Sequence, residues 1–172
     1  MESSAVQTVA VDTVSRAPAA AGRFAPEVAA GIAGLLVGLA YLVAQMVFSG
    51  LLDLGGAEGS LRRVAAILLG PGEAPPADGV SLPVAAMALL IHLPLAFVYG
   101  RLIGLVTRRL ALLQGALAGA AAGLLLFALN FFVIAPSAFP WFVDVRNMAT
   151  ALDHVLFGAL CAALANLMSH GR

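Results

Sequence analysis

The chain has no lysine, one cysteine and one tryptophan, and only 10% of its 172 residues are charged. Each shortage excludes something. A single cysteine, Cys161, cannot close an internal disulfide, and within an apolar run it reads as a small packing residue. A soluble domain carries roughly 25% charged residues, so this chain has too little polar surface to cover itself in water. Its nine basic residues are all arginine and are matched by nine acidic ones, leaving a net charge of zero and no footprint for nucleic acid. No nucleophile elbow, P-loop, HExxH or paired CxxC occurs, so neither an enzyme nor a bound metal or cofactor is expected. The apolar runs lack the period-2 alternation of barrel strands.

What is present is apolar: 62% of residues are hydrophobic and the mean hydropathy is +1.01. Four runs stand out, Pro26–Gly50, Leu82–Val106, Leu110–Ile134 and Asn147–Ser169, each 23–25 residues long. About 20 residues cross the hydrocarbon core as a helix. The sequence therefore predicts an all-α membrane protein with four transmembrane helices over 26–50, 82–106, 110–134 and 147–169, forming one domain over 26–172. The first 25 residues lack the continuous apolar core of a signal peptide and read as a disordered cytoplasmic tail.

Orientation rests on arginine. Arg16, Arg23, Arg101, Arg108, Arg109 and Arg172 fall on one side, and Arg62, Arg63 and Arg146 on the other, beside Asp53, Glu58, Glu73, Asp78 and Asp144. The positive-inside rule then places both termini in the cytoplasm. Helices two and three, joined by a tight turn at "TRRL", are antiparallel neighbours. Between helices one and two, "GSLRRVAAILLGPG" predicts an amphipathic helix over 60–70, capped by Ser60 and stopped at Gly70–Pro71. Its apolar residues Leu61, Val64, Ala65 and Leu68 follow helical spacing. It is too short to span and is expected on the outer interface. In the loop "APSAFPWFVDVRN", Phe139, Trp141 and Phe142 have two readings: an aromatic belt at the headgroups, or the mouth of a ligand site.

An internal repeat of two-helix units is discernible. Gly34 and Gly38 of helix one match Gly119 and Gly123 of helix three, and seven residues past each second glycine comes an amide, Gln45 or Asn130. Ala88, His92 and Ala96 of helix two match Thr150, His154 and Gly158 of helix four. The first pair is offset by 85 positions (34 to 119) and the second by 62 (92 to 154), and the amphipathic insert accounts for the difference. Both units start inside, so the repeat would be parallel, about an axis along the membrane normal. Small residues let helices approach closely in lipid, and polar side chains then bond across the contact. Gly34, Gly38, Gly119, Gly123, Gly158 and Pro94 are accordingly expected at helix-packing positions, Pro94 also kinking helix two and freeing the carbonyl of Leu90.

At ~1.5 Å per residue, Gln45, Asn130, His154 and His92 lie about 7–15 Å from the outer helix ends, in one polar layer. Asp153 joins the candidates, although it points roughly 100° away from its neighbour His154. Tyr99, Arg101 and Asn166 read as interface anchors and snorkelling groups. Three uses of the layer are open. It is an interhelical clamp, with the histidines bonded to Gln45, Asn130 or each other. It is a cavity for a proton or small solute. Or the two histidines hold haem.

"LRRVAAILLGPGEAPP", "IHLPLAFVYG", "NFFVIAPSAFPWF" and "DHVLFG" together resemble a group of small bacterial four-helix inner-membrane proteins of unassigned function, some of which carry a sodium:proline symporter label. The resemblance covers Pro26 to the C-terminus and implies a multi-pass protein of the bacterial inner membrane. Four spans are too few for a conventional symporter of that type, and no sodium-site pattern is visible. The leading expectation is a small accessory or structural membrane protein. A proton or small-solute carrier or channel comes next, then a haem-binding redox subunit. The partner expected is the lipid bilayer, with a homo-oligomer or membrane complex left open.

Overall fold

The computed structural model describes residues 24–51, 56–74, 79 and 81–169. The expected tail lies outside these, except for its last two residues, and so do Arg16, Arg23, Asp53, Asp78 and Arg172. The described residues form helices and turns, with no strand among them. There are five main helices: α1 (Pro26–Leu51), α2 (Gly56–Leu69), α3 (Leu82–Thr107), α4 (Leu112–Ala138) and α5 (Met148–Ser169). All but α2 are long and apolar enough to cross a membrane. They are leucine- and alanine-rich, and leucine and alanine cost a helix little side-chain entropy.

The ends are set by local chemistry. α2 stops where Gly70 takes φ 98°, a left-handed conformation open to glycine, and Pro71 follows. It begins at Gly56, so Ser60 sits inside the helix and is not its cap. α4 runs past the expected end at Ile134 through a π-turn over Leu129–Ile134. That widened turn comes just before Pro136, which has no N–H to continue the α ladder. A 3₁₀ segment, Pro140–Val145, then leads to α5.

The spanning helices pack as two close pairs. In α1–α3, a Cβ on Gly34 would fall on the Ala96 carbonyl and lie 2.8 Å from the Gly100 Cα, while one on Gly38 would meet the Ala96 side chain at 2.5 Å. In α4–α5, a Cβ on Gly119 would fall on the Gly158 carbonyl and lie 2.7 Å from the Ala162 side chain, while one on Gly123 would fall on the His154 carbonyl. The contacts share one register: position 34 meets 96 and 100, and position 119 meets 158 and 162. Lipid supplies no hydrophobic drive between helices, so this backbone-on-backbone contact supplies much of the attraction. Pro94 is different. It lies within α3 but faces outward, exposed, and contributes nothing to the helix contact expected of it.

Ala30, Ala33 and Ala165 join α1 to α5, and Ile103, Cys161 and Ala162 bury together where α3 meets α5. Cys161 is thus the packing residue expected. Glu27 pairs with Arg108 at 3.4 Å, and Asn166 donates to the Leu110 carbonyl at 3.1 Å. The start of α1, the α3–α4 turn and the end of α5 therefore share one end of the bundle. Asn166 is a helix tie at that end, more than a snorkelling group.

At the other end α2 lies against α1 and α3. Its Leu61 and Ala65 are buried with Leu42, Val84 and Ala88. The apolar face expected on lipid is therefore largely docked on protein. Arg62, itself buried, reaches Glu73 at 3.1 Å and the Gly79 carbonyl, fastening the chain that follows α2. Outward faces carry leucine in rows, with Leu82 83%, Leu113 72% and Leu125 69% exposed. On a soluble protein such a surface would aggregate; toward lipid it needs no cover.

Candidate functional site

Between the helices, at the α2 end, lies a cavity of about 430 Å³. That is within the ~300–1,000 Å³ range of small-molecule sites. Every main helix contributes a polar side chain to its wall: Gln45 from α1, Arg63 from α2, His92 from α3, Asn130 from α4, and Asp153 and His154 from α5. The residues expected in the polar layer are thus brought to one space. Asp153, expected to diverge from His154, lines it too.

The bonding is not the expected one. The Nε2 of His92 lies 2.9 Å from the Gly38 carbonyl, and the Nδ1 of His154 lies 2.8 Å from the Thr150 carbonyl. Neither ring bonds to Gln45 or Asn130. A carbonyl only accepts, so the nitrogen facing it carries the proton. In the neutral ring the other nitrogen then holds a lone pair. Those second nitrogens, Nδ1 of His92 and Nε2 of His154, have no partner among the described residues, and neither is sealed from contact. Gln45 likewise makes no hydrogen bond among the described residues.

Three further bonds tie the wall together. The Tyr41 hydroxyl donates to Asp153 at 3.3 Å, joining α1 to α5. The Tyr99 hydroxyl donates to Asn130 at 2.8 Å, joining α3 to α4. Tyr99 is therefore a wall residue and not an interface anchor, whereas Arg101 is exposed as expected. The Trp141 indole donates to the Arg63 carbonyl at 3.1 Å, fixing the 3₁₀ segment to α2. Trp141 packs on Phe139 and Phe142, and the rings of both line the cavity. All three aromatics are half-buried, and Trp141 stands behind the two that line the cavity.

Aromatic faces also hold the histidines. His92 stacks on Tyr41 with ring centroids 6.3 Å apart, and His154 stands edge-on to Phe131 at 5.6 Å and to Phe127 at 5.7 Å. At the α2 side, burial lowers the Arg63 guanidinium from its ordinary value and the Asp144 carboxylate pulls it back up, so it stays a cation. In the sequence, Arg63 bore only on orientation, Thr150 only on the repeat and Tyr41 on neither, so none of the three was expected on the wall. Tyr41 stands four residues before Gln45, and Tyr99 seven after His92, so helical spacing placed both on the polar face.

The fold and cavity define a class: a multi-pass helical membrane protein with a polar, aromatic-walled cavity within its bundle. No protein-family model, no curated protein and no solved structure matches the chain.

Proposed function

We propose that this is a small-molecule-binding protein of the bacterial inner membrane, a carrier or receiving subunit rather than a purely structural clamp. One observation carries the reading. Gln45 and one nitrogen on each histidine line the cavity with spare bonding capacity, while the helices are already tied by Tyr41–Asp153, by Tyr99–Asn130 and by the His92 bond to the Gly38 carbonyl. A clamp consumes its polar groups in mutual bonds, because an unpaired polar group away from water is costly. Here the wall is already held, and acceptors are left over facing open space. Polar and ionisable groups within spans commonly mark ligand and proton paths.

The same reading gives the chain two related hairpins, α1–α3 and α4–α5, with the cavity between them, as in carriers built from parallel repeats. The matched glycine contacts support this. Cytoplasmic termini are supported by Arg101, Arg108 and Arg109 at the end where α1 starts and α5 finishes. No catalytic role is proposed.

The test uses the single tryptophan, Trp141, which packs behind Phe139 and Phe142 of the cavity wall. In lipid nanodiscs, 4-bromotoluene, a heavy-atom quencher, is expected to quench Trp141 saturably. Ser60→Phe places a ring into the cavity from α2 and should convert that quenching to the linear response of simple lipid partitioning. Linear quenching in the unsubstituted protein would defeat the proposal.

A further inference from the structure

Within that cavity, and resting on the binding reading above, the pattern of spare hydrogen-bonding atoms specifies a ligand. His92 and His154 each commit their N–H to a backbone carbonyl, at 2.9 Å and 2.8 Å. Each therefore offers the cavity an acceptor. The Asp153 carboxylate, which also lines it, already takes one hydroxyl, from Tyr41, and has a second oxygen to offer. Spare donors sit elsewhere on the wall, on Gln45, Asn130 and the Arg63 guanidinium. The histidine region thus presents acceptors on two different helices, α3 and α5, and suits a ligand that brings hydroxyl donors to both.

The rest of the wall specifies the ligand's body. The two rings stand among Tyr41, Phe131, Phe142 and Phe157, which favour a flat aromatic partner by offset or edge-on packing. The cavity also reaches the side of the bundle. Leu95 of α3 and Ile134 of α4 both line it and are 42% and 38% exposed, so the wall is not sealed where these two helices meet it. A ligand that reaches it from the membrane needs an apolar body, and this part of the wall is apolar.

We infer that the cavity binds a membrane-soluble hydroxylated aromatic of the quinol class, and binds it in preference to the oxidised quinone. The quinone has only acceptors, and a histidine whose N–H is spent on a backbone carbonyl has nothing to donate to it; the donors on Gln45, Asn130 and Arg63 lie elsewhere on the wall. The inference concerns binding alone and involves no electron transfer.

The experiment uses the full chain in nanodiscs and three probes sharing a decyl tail: 2-decyl-1,4-hydroquinone held reduced by ascorbate, its quinone, and its dimethyl ether. Isothermal titration calorimetry should show the hydroquinone binding at least tenfold tighter than either of the others. The dimethyl ether keeps ring and tail but has no donor, so the comparison needs no variant to fold. In the His92→Phe/His154→Phe protein, which keeps the rings and removes the nitrogens, hydroquinone affinity should fall to that of the ether, with ether affinity unchanged. Equal binding of all three probes overturns the inference, as does a hydroquinone preference that survives in the double variant. If that equal binding is lost in Ser60→Phe, the cavity still receives ligands and only the ligand class is wrong. If no probe binds, or Ser60→Phe binds as the unsubstituted protein does, the binding reading falls as well.

Discussion

Gly158→Ala tests whether backbone contact between α4 and α5 holds the bundle together. The added Cβ would fall on the Gly119 carbonyl oxygen, with the carbonyl carbon of Gly119 and the amide nitrogen of Gly123 each 2.9 Å away. All three atoms are backbone, so no side chain can rotate aside. The helices must part by about 0.5–1 Å, and a gap of that size forfeits roughly a quarter to a half of the dispersion between facing atoms. With roughly twenty to thirty facing pairs at ~0.1–0.2 kcal/mol each, losing that share forfeits about 0.5–3 kcal/mol. That range covers the ~1–3 kcal/mol typical of overpacking. Gly72→Ala is the control: a Cβ there meets nothing within 4 Å, and the change should stay within ~0.5 kcal/mol. Unfolding by SDS titration in bicelles, followed by circular dichroism, measures both. Gly34→Ala, pressed against Ala96 and Gly100 in the other pair, should cost about as much as Gly158→Ala, and the two should add. A Gly158→Ala protein as stable as its parent would refute the reasoning.

Three other outcomes are expected. On a Cys161→Ala background, Ser137→Cys should react with an impermeant thiol reagent added outside intact cells and Ala111→Cys should not; the reverse pattern would invert the topology. In a double-mutant cycle, Tyr41→Phe and Asp153→Val should couple by about 0.6–1.7 kcal/mol, the range found for interhelical hydrogen bonds in membranes, and a coupling near zero would remove that tie from the wall. Protein purified from haem-supplied cells should show no Soret band; one that is lost in both His92→Leu and His154→Leu would make the histidines haem ligands.

The spans were legible because length and apolarity alone define them, and their limits agree with the helices to within a few residues, except at the far end of α4. There, Pro136 and the π-turn extend the helix, and no hydropathy pattern records a change of hydrogen-bond register. The polar residues of the cavity were legible as types at a common depth, since ionisable groups are rare in lipid. Their partners were not. The His92 and His154 rings bond to carbonyls of Gly38 and Thr150, and a backbone acceptor leaves no mark in side-chain identity. α2 was read correctly as a short amphipathic helix. The same leucine and alanine stripe suits lipid or protein, however, so docking on α1 and α3 could not be told from lying in the interface. Pro94 was misplaced for a similar reason: sequence shows that a proline interrupts the ladder, but not which face it turns outward.

The positions of the glycines explain why a cavity exists and why it lies at the α2 end. Gly34, Gly100 and Gly104 in one pair, and Gly119, Gly123 and Gly158 in the other, bring backbones together over the half of the bundle nearer the α3–α4 turn. Beyond that half the facing positions change size. α1 offers Tyr41 and Gln45 where it had offered glycine, α3 offers His92, α4 offers Phe131, and α5 offers His154. Rings of this bulk occupy space that glycine leaves to the facing backbone, and the cavity lies among them. Bulky rings fill part of the gap, and their hydroxyls and ring nitrogens find what partners they can. The π-turn widens α4 at Asn130, just where its amide meets Tyr99. α2 and the Trp141 segment then close the wide end, tied to each other through the Arg63 carbonyl. The stripe of small residues that binds the helices and the polar cavity that would bind a ligand thus have one cause, a change in side-chain size along the same helix faces.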